Sequence, residues 1–255
     1  MKKTVFYSLF LFSSCAVRSV YVPTTHNVLL FDNKKQIQAN GYLGDNHIEL
    51  QLAHNPFNHF VSGANTYLGK GLRMYEGYMG IYNYSKTNYK WRFEVLGGVN
   101  YTTNFNLQSK AWFSVFQEKK SNYETFSQFN KYFIQPNLGF YSKIEMYKVS
   151  YSFSISNRVS YIYFKKYVYR EYDPSLSSMQ STHAYIVNKQ YYNKYLFLFE
   201  PCITNKVGIK NISLVMQGQF MIPSSKEIDI RYTKFSPVFI FSMGLQYNFV
   251  FKTKN

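Results

Sequence analysis

Cysteine is scarce: the 255 residues hold two, Cys15 and Cys202. Cys15 belongs to an export signal described below, so Cys202 has no mate and a disulfide framework is excluded. No run of eighteen apolar residues exists, which excludes a helical membrane span. A chain that crosses a bilayer without such a run must close its strands into a barrel. Acids are few, 13 against 29 lysines and arginines, for a formal charge of +16. The basic residues are scattered along the chain rather than gathered on one stretch, which argues against a nucleic-acid partner. Scattered lysines suit loops and hairpin ends, or anionic lipid headgroups.

Catalytic signatures are missing too. Gly77, Gly80 and Gly97-Gly98 lack the spacing of a phosphate-binding loop. No Gly-x-Ser-x-Gly elbow accompanies the serines. His54 and His59 flank a turn containing Pro56 with no cysteine or acid cluster beside them, so no metal and no cofactor is expected.

Aromatic residues are what the chain has in abundance. Tyr 26, Phe 24 and Trp 2 make up 20% of it. Tyr and Phe favour strands, and Tyr also suits a membrane–water boundary. The opening residues, MKKTVFYSLFLFSSC, place Lys2 and Lys3 before an apolar stretch from Val5 to Phe12, then Ser13 and Ser14 before Cys15. This is the layout of a secretory signal over residues 1–14. The small pair before a cysteine makes Cys15 the candidate lipidation site, although Phe12 stands where a lipobox usually has Leu. Removal of the signal deletes two lysines and no acid, leaving a formal charge of about +14.

From residue 36 onward the pattern has period two. In Lys148–Ile162, Val149, Tyr151, Phe153, Ile155, Val159 and Tyr161 alternate with Ser150, Ser152, Ser154, Ser156, Arg158 and Ser160. In Phe239–Phe251, Phe239, Phe241, Met243, Leu245, Tyr247, Phe249 and Phe251 alternate with Ile240, Ser242, Gly244, Gln246 and Asn248. One face is large and apolar, the other small and polar. In a membrane barrel the apolar face meets lipid and the small face fills the interior; in a soluble sandwich it would turn inward. Strands of ten or more residues and the export signal favour the barrel.

The sequence predicts an antiparallel up-and-down barrel of about ten strands within residues 36–255. They centre near 36–44, 47–55, 59–69, 73–85, 89–104, 129–142, 146–164, 193–206, 210–222 and 236–251. Links after the even-numbered strands are short. Those at about 105–128, 165–192 and 223–235 are long, the asymmetry of periplasmic turns and outer loops. Both chain ends then fall on the periplasmic side. Residues 15–35 lack periodicity and read as a linker, or as an arm that enters the barrel or reaches a partner.

The signal with Cys15, Tyr21-Val22-Pro23, the strand Gln38-Ala39-Asn40-Gly41-Tyr42-Leu43-Gly44 and the stretch Lys131-Tyr132-Phe133-Ile134-Gln135-Pro136-Asn137-Leu138-Gly139-Phe140 give the chain a recognisable style. It resembles the small outer-membrane β-barrel lipoproteins of the Bacteroidota type. The resemblance implies a barrel in the outer membrane. It implies no activity, and no functional residue carries over.

Candidate residues fall into two groups. Glu49, Glu76, Arg92, Glu94, Lys131, Lys148, Arg158 and Glu200 occupy predicted inward positions. They read as interior ion pairs, because charges facing lipid cost a few kcal/mol each near the bilayer midplane. In the long links, Trp112, Lys119, Lys120, Tyr167, Tyr169, Arg170 and Tyr172 mix basic and aromatic groups suited to glycan, lipopolysaccharide phosphate or a protein partner. The expected function is a non-enzymatic barrel in the bacterial outer membrane, a structural or interaction component of the cell surface or of a larger outer-membrane complex. The alternatives are a narrow solute channel, a barrel enzyme using His183 with Glu171 or Asp173, and a soluble glycan-binding sandwich lipoprotein.

Overall fold

The structure is a computed structural model. It describes residues 24–28, 36–44, 47–69, 71–85, 90–110, 122–144, 149–172, 185–224 and 238–250. Ten strands run in chain order: β1 (Gln36–Gly44), β2 (His47–His54), β3 (Phe60–Gly69), β4 (Leu72–Tyr84), β5 (Lys90–Lys110), β6 (Asn122–Ile144), β7 (Val149–Tyr172), β8 (Tyr185–Ile209), β9 (Ile212–Ser224) and β10 (Val238–Val250). Each pairs antiparallel with its neighbours in sequence, and β1 closes on β10, Gln36 opposite Val250. The closed up-and-down barrel rules out the two-sheet sandwich. It also leaves the ten core strands without an unpaired edge, as a cylinder must. We call the opening where β1 begins and β10 ends the near mouth, and its opposite the far mouth.

Alternation decides which side of each strand faces in. On β4, Leu72, Met74, Glu76, Tyr78 and Tyr82 are buried while Arg73, Tyr75, Met79 and Ile81 are exposed. On β7 the serines point in: Ser152, Ser154, Ser156 and Ser160 are buried, and Ile155 and Val159 lie outside. The outer wall is therefore apolar over most of its circumference, with Leu43 72% exposed, Ile134 62% and Leu245 60%. Most of the small or polar residues lie inside, the reverse of a soluble core.

Aromatic rings border this apolar wall in two rows. Towards the near mouth, Trp91 stands opposite Phe140 with ring centroids 5.5 Å apart, and Tyr247 meets Phe249 at 4.5 Å. Towards the far mouth, Tyr75 stands opposite Tyr101. Tyr132 stands opposite Tyr161 at 6.4 Å, and Tyr161 stacks on Tyr195 at 5.9 Å. Between the rows the exposed side chains are Phe93, Val99, Leu138, Ile155, Val159 and Ile203. From Trp91 to Tyr101 on β5, and from Tyr151 to Tyr161 on β7, is ten residues. That is about 33 Å along a strand, or about 25 Å along the axis of a barrel tilted by about 40°.

Strands β5 to β8 have 21, 23, 24 and 25 residues and run well past the others at the far mouth. Two of the predicted long links are thus partly strand. Ladders Leu107–Lys110 with Asn122–Thr125 and Lys166–Tyr172 with Tyr185–Tyr192 replace the ends of the loops expected at 105–128 and 165–192. The physical reason is a bulge. Gln128 pairs with Lys166 but Phe129 pairs with Phe164, so Lys165 is an extra residue. Opposite it, Asn193 takes a positive φ of 52°, a conformation that Asn tolerates. The extra residue shifts the alternation by one. Ile162 and Phe164 face in, and then Tyr167 and Tyr169 do, instead of Lys166. Read as uninterrupted alternation, the same stretch breaks at the lysines and looks like a loop.

Two glycines of β4 make a test of this inside–outside assignment. A Cβ on inward Gly80 would strike the Val95 carbonyl oxygen and come within 2.9 Å of Leu96 Cα, whereas one on outward Gly77 meets nothing within 4 Å. Gly80→Ala should lose about 1–3 kcal/mol to overpacking, and Gly77→Ala should be near neutral. Equilibrium urea unfolding followed by tryptophan fluorescence compares the two, and equal losses would contradict the assignment.

Candidate functional site

The lumen is filled rather than open. Residues Thr24, Thr25, His26, Asn27 and Val28, part of the non-periodic arm before β1, lie inside the barrel and are all buried. These five residues are the part of the segment that the structure describes, and they are called the arm below.

The wall grips the arm through side chains. Gln217 uses its amide twice on His26, accepting from the backbone N–H and donating to the carbonyl, both at 2.9 Å. Glu49 accepts from the Thr25 N–H at 3.0 Å and from its hydroxyl at 2.8 Å. Gln51 and Arg158 donate to the Thr25 carbonyl at 3.2 and 3.4 Å. Gln135 and Asn137 donate to the Asn27 carbonyl at 2.9 and 2.8 Å. The Lys206 ammonium, itself 2.8 Å from Gln246 Oε1, donates to the Val28 carbonyl. A buried extended segment without strand neighbours must find such partners for its peptide groups, and amide side chains at successive inward positions supply them.

At the centre stands Glu76. Lys131 Nζ lies 3.1 Å from its Oε2 and Arg158 Nη1 3.7 Å. Asn65 and Asn27 donate to its Oε1 at 2.7 and 3.2 Å. Arg158 also donates to the Thr24 hydroxyl at 2.7 Å and through Nε to Gln135 at 2.9 Å. Both cations lie against the Phe133 ring, Arg158 at 4.6 Å and Lys131 at 5.3 Å. Wall and arm thus share one network around a single carboxylate.

Above this polar layer, towards the far mouth, the inward residues turn apolar. Tyr67, Leu72, Met74, Phe129, Ile162, Phe164, Tyr167, Tyr169, Leu196, Leu198 and Met221 form one buried cluster.

The sequence-predicted charges distribute as follows. Glu49, Glu76, Arg92, Glu94, Lys131, Arg158 and Glu200 are all buried inside the barrel. Glu94 accepts from Asn137 at 2.9 Å, Glu200 accepts from Ser160 at 2.8 Å, and Arg92 lies 5.1 Å from the Tyr141 ring centroid. Glu76, Lys131 and Arg158 come together as ion pairs. Lys148 lies outside the described residues, as do Cys15, Trp112, Lys119 and Lys120. Of the candidate surface contacts, Tyr167 and Tyr169 are buried in the lumen, a correction that follows from the bulge at Lys165. Arg170 is half-buried, and Tyr172 ends β7.

The sequence reading allowed an arm entering the barrel but named none of Thr24 to Val28 as contacts, and so missed one of chemical interest: His26 Nδ1 lies 2.7 Å from Ser156 Oγ. A hydrolytic pair needs a group to orient the histidine, and the ring's Nε2 has no hydrogen-bond partner among the described residues. Both side chains are buried in the filled lumen. No group of three or more metal-ligating side chains occurs among the described residues. Comparison with known proteins gives no match, either to a family model or to a curated sequence.

Removing one partner of a buried ion pair strands the others, at a cost of about 3–5 kcal/mol. Glu76→Gln should lose this much in urea unfolding, because it leaves Lys131 and Arg158 uncompensated. Thr24→Ala, which removes one hydroxyl, should lose about 1 kcal/mol. If Glu76→Gln cost no more than Thr24→Ala, the carboxylate would not be the centre of the network.

Proposed function

We propose that the protein is a plugged, non-enzymatic barrel of the bacterial outer membrane, a structural or interaction component of the cell surface. The observation that carries this reading is the filled lumen beneath an outward apolar wall. A wall exposing Leu, Ile, Phe and Val over most of its circumference suits an apolar surrounding. The spacing of the aromatic rows, about 25 Å, matches the apolar band of an outer-membrane barrel. The near turns at 55–59 and 210–211 are short, as periplasmic turns are, so the far mouth faces outward in this reading.

A solute channel is disfavoured by the same lumen. The arm takes the space, the carboxylates and amides are committed to it, and the apolar cluster lies above. Work at the surface then falls to the outside of β5 to β8. Past the far aromatic row stand Lys165, Lys166, Lys189 and Lys194 on β7 and β8, at the level where outer-leaflet phosphates lie. Membrane lipid, including lipopolysaccharide, is the partner this collar fits, and a larger outer-membrane complex is the setting in which a plugged barrel has a role.

Folded membrane barrels commonly resist detergent until heated. The full chain should migrate differently before and after boiling, resist alkaline extraction, and give no single-channel steps in planar bilayers. Stable conductance steps would favour the channel; alkaline release without a mobility shift would remove the protein from the membrane altogether.

A further inference from the structure

The outside of the wall is hollowed at one place. Gly77, at an outward position of β4, stands between Ala64 of β3 and Val99 of β5 in one register row. The fold does not require a glycine there. A Cβ on it would meet nothing within 4 Å, and its φ is not left-handed. A glycine inside a strand weakens it and often marks a place where something approaches the backbone closely. The rings of Tyr75, Tyr101 and Tyr132 stand round these small residues and leave a notch of about 530 Å³, within the size range of a small-ligand site.

Polar groups border the notch on its far-mouth side. Arg73, two residues from Tyr75 on the same face, is exposed. Thr103 of β5 stands opposite it, and Gln128 of β6 opposite Thr103. Gln128 donates to the Tyr101 hydroxyl at 3.1 Å, which steadies one ring of the rim. Arg73 has no acid partner among the described residues. Every acid whose side chain is described, Glu49, Glu76, Glu94 and Glu200, is buried in the lumen. The outside therefore offers an anion a cation with no competing carboxylate.

We propose that this face of β3 to β6 binds one anionic phospholipid, with an acyl chain in the notch over Gly77 and the phosphate on Arg73, Thr103 and Gln128. The proposal rests on the membrane-spanning reading and adds a single defined site, apart from the lysines of β7 and β8. From Arg73 to Gly77 is four residues, about 13 Å along a strand, so the headgroup and upper chain of one lipid reach both. A fluid bilayer wets any apolar wall. A concavity with a charged rim does more, retaining one lipid while its neighbours exchange. One cation and one hollow match one phosphate and one chain better than they match the broad face of a protein.

The test is native mass spectrometry of the full chain, extracted in neutral detergent, stripped of lipid, and titrated with phosphatidylglycerol or with phosphatidylcholine of the same acyl chains. The expected result is one retained phosphatidylglycerol, bound at least about tenfold more tightly than phosphatidylcholine, the scale of a charge-assisted contact. Gly77→Leu, which fills the notch, and Arg73→Gln, which removes the cation, should each weaken phosphatidylglycerol binding at least about tenfold. Lys165→Gln, on β7, should bind as the parent chain does. Several equally weak lipids on the parent, or unchanged binding in Gly77→Leu and Arg73→Gln, would overturn the proposal. So would a loss in Lys165→Gln equal to that in Arg73→Gln, which would make the effect one of overall charge. A dimer that Gly77→Leu dissociates would give the notch to a second copy and overturn it too. Heat-dependent mobility shows that each variant has folded, and Arg73→Gln carries the test alone if Gly77→Leu does not fold. A parent chain without that mobility shift would overturn the membrane reading itself; one that shifts but retains no lipid overturns only the proposal.

Discussion

A carboxylate taken out of water into a narrow barrel must be met at once by cations and donors, and Glu76 is met from three directions. Lys131 and Arg158 reach it from β6 and β7, Asn65 from β3, and Asn27 from the arm. Each partner is itself buried, so each is costly without the others. This mutual dependence joins opposite walls of the cylinder through its middle. A closed sheet fixes backbone neighbours only around its circumference. The ion-paired network fixes the diameter, and it draws the arm in because Arg158 and Glu76 need the groups that Thr24 and Asn27 bring.

Around that centre the interior combines one polar network with two apolar clusters. Beside the arm stand Gln51, Gln135, Asn137, Gln217 and Lys206, side chains able to stand in for the strand neighbours that the arm lacks. One cluster, of Leu, Ile, Met, Phe and Tyr, lies towards the far mouth, and a smaller one of Ala53, Val61, Tyr78, Tyr82, Leu96 and Phe133 lies on the β2–β6 side. Gln217 shows the economy of the first arrangement, since one amide meets both the N–H and the carbonyl of His26 as a paired strand would. The outer wall is simpler, and stays apolar from the Trp91–Phe140 row to the Tyr132–Tyr161 row.

How much of this could be read from residues alone depends on how local the cause is. Inward and outward faces follow from period-two alternation, so Glu49, Glu76, Arg92, Glu94, Lys131, Arg158 and Glu200 could be placed inside strand by strand. Which of them meet could not, because contact across a lumen depends on tilt and register summed over many strands. The length of β7 was hidden by one residue. Lys165 interrupts the alternation, and only the ladder that resumes beyond it, at Lys166 opposite Tyr192, shows that the strand goes on with its faces exchanged. Tyr167 and Tyr169 then look like loop aromatics when they are interior ones. The contacts of the arm, offered only as one of several roles for that segment, were illegible for the opposite reason. Thr24 to Val28 carry no period because they have no strand neighbours, and the reason for their polarity lies in Gln217, Gln135 and Glu49, far away in sequence.

A barrel arranged in this way gives up the interior as a place for exchange. Its acids are spent on internal contacts, its amides on a segment of its own chain, and its far half on apolar packing. Opening the lumen would mean separating Glu76 from two cations and leaving the arm's peptide groups unmet. Neither step is small beside a typical protein's total stability. Such a centre suits the role of a rigid outer surface proposed above better than that of a channel. A cylinder held across its diameter presents β5 to β8, which project beyond the far rim, as a fixed platform. In the function proposed above, the lysines and tyrosines above the far aromatic row on that platform are the residues through which the protein would meet a partner.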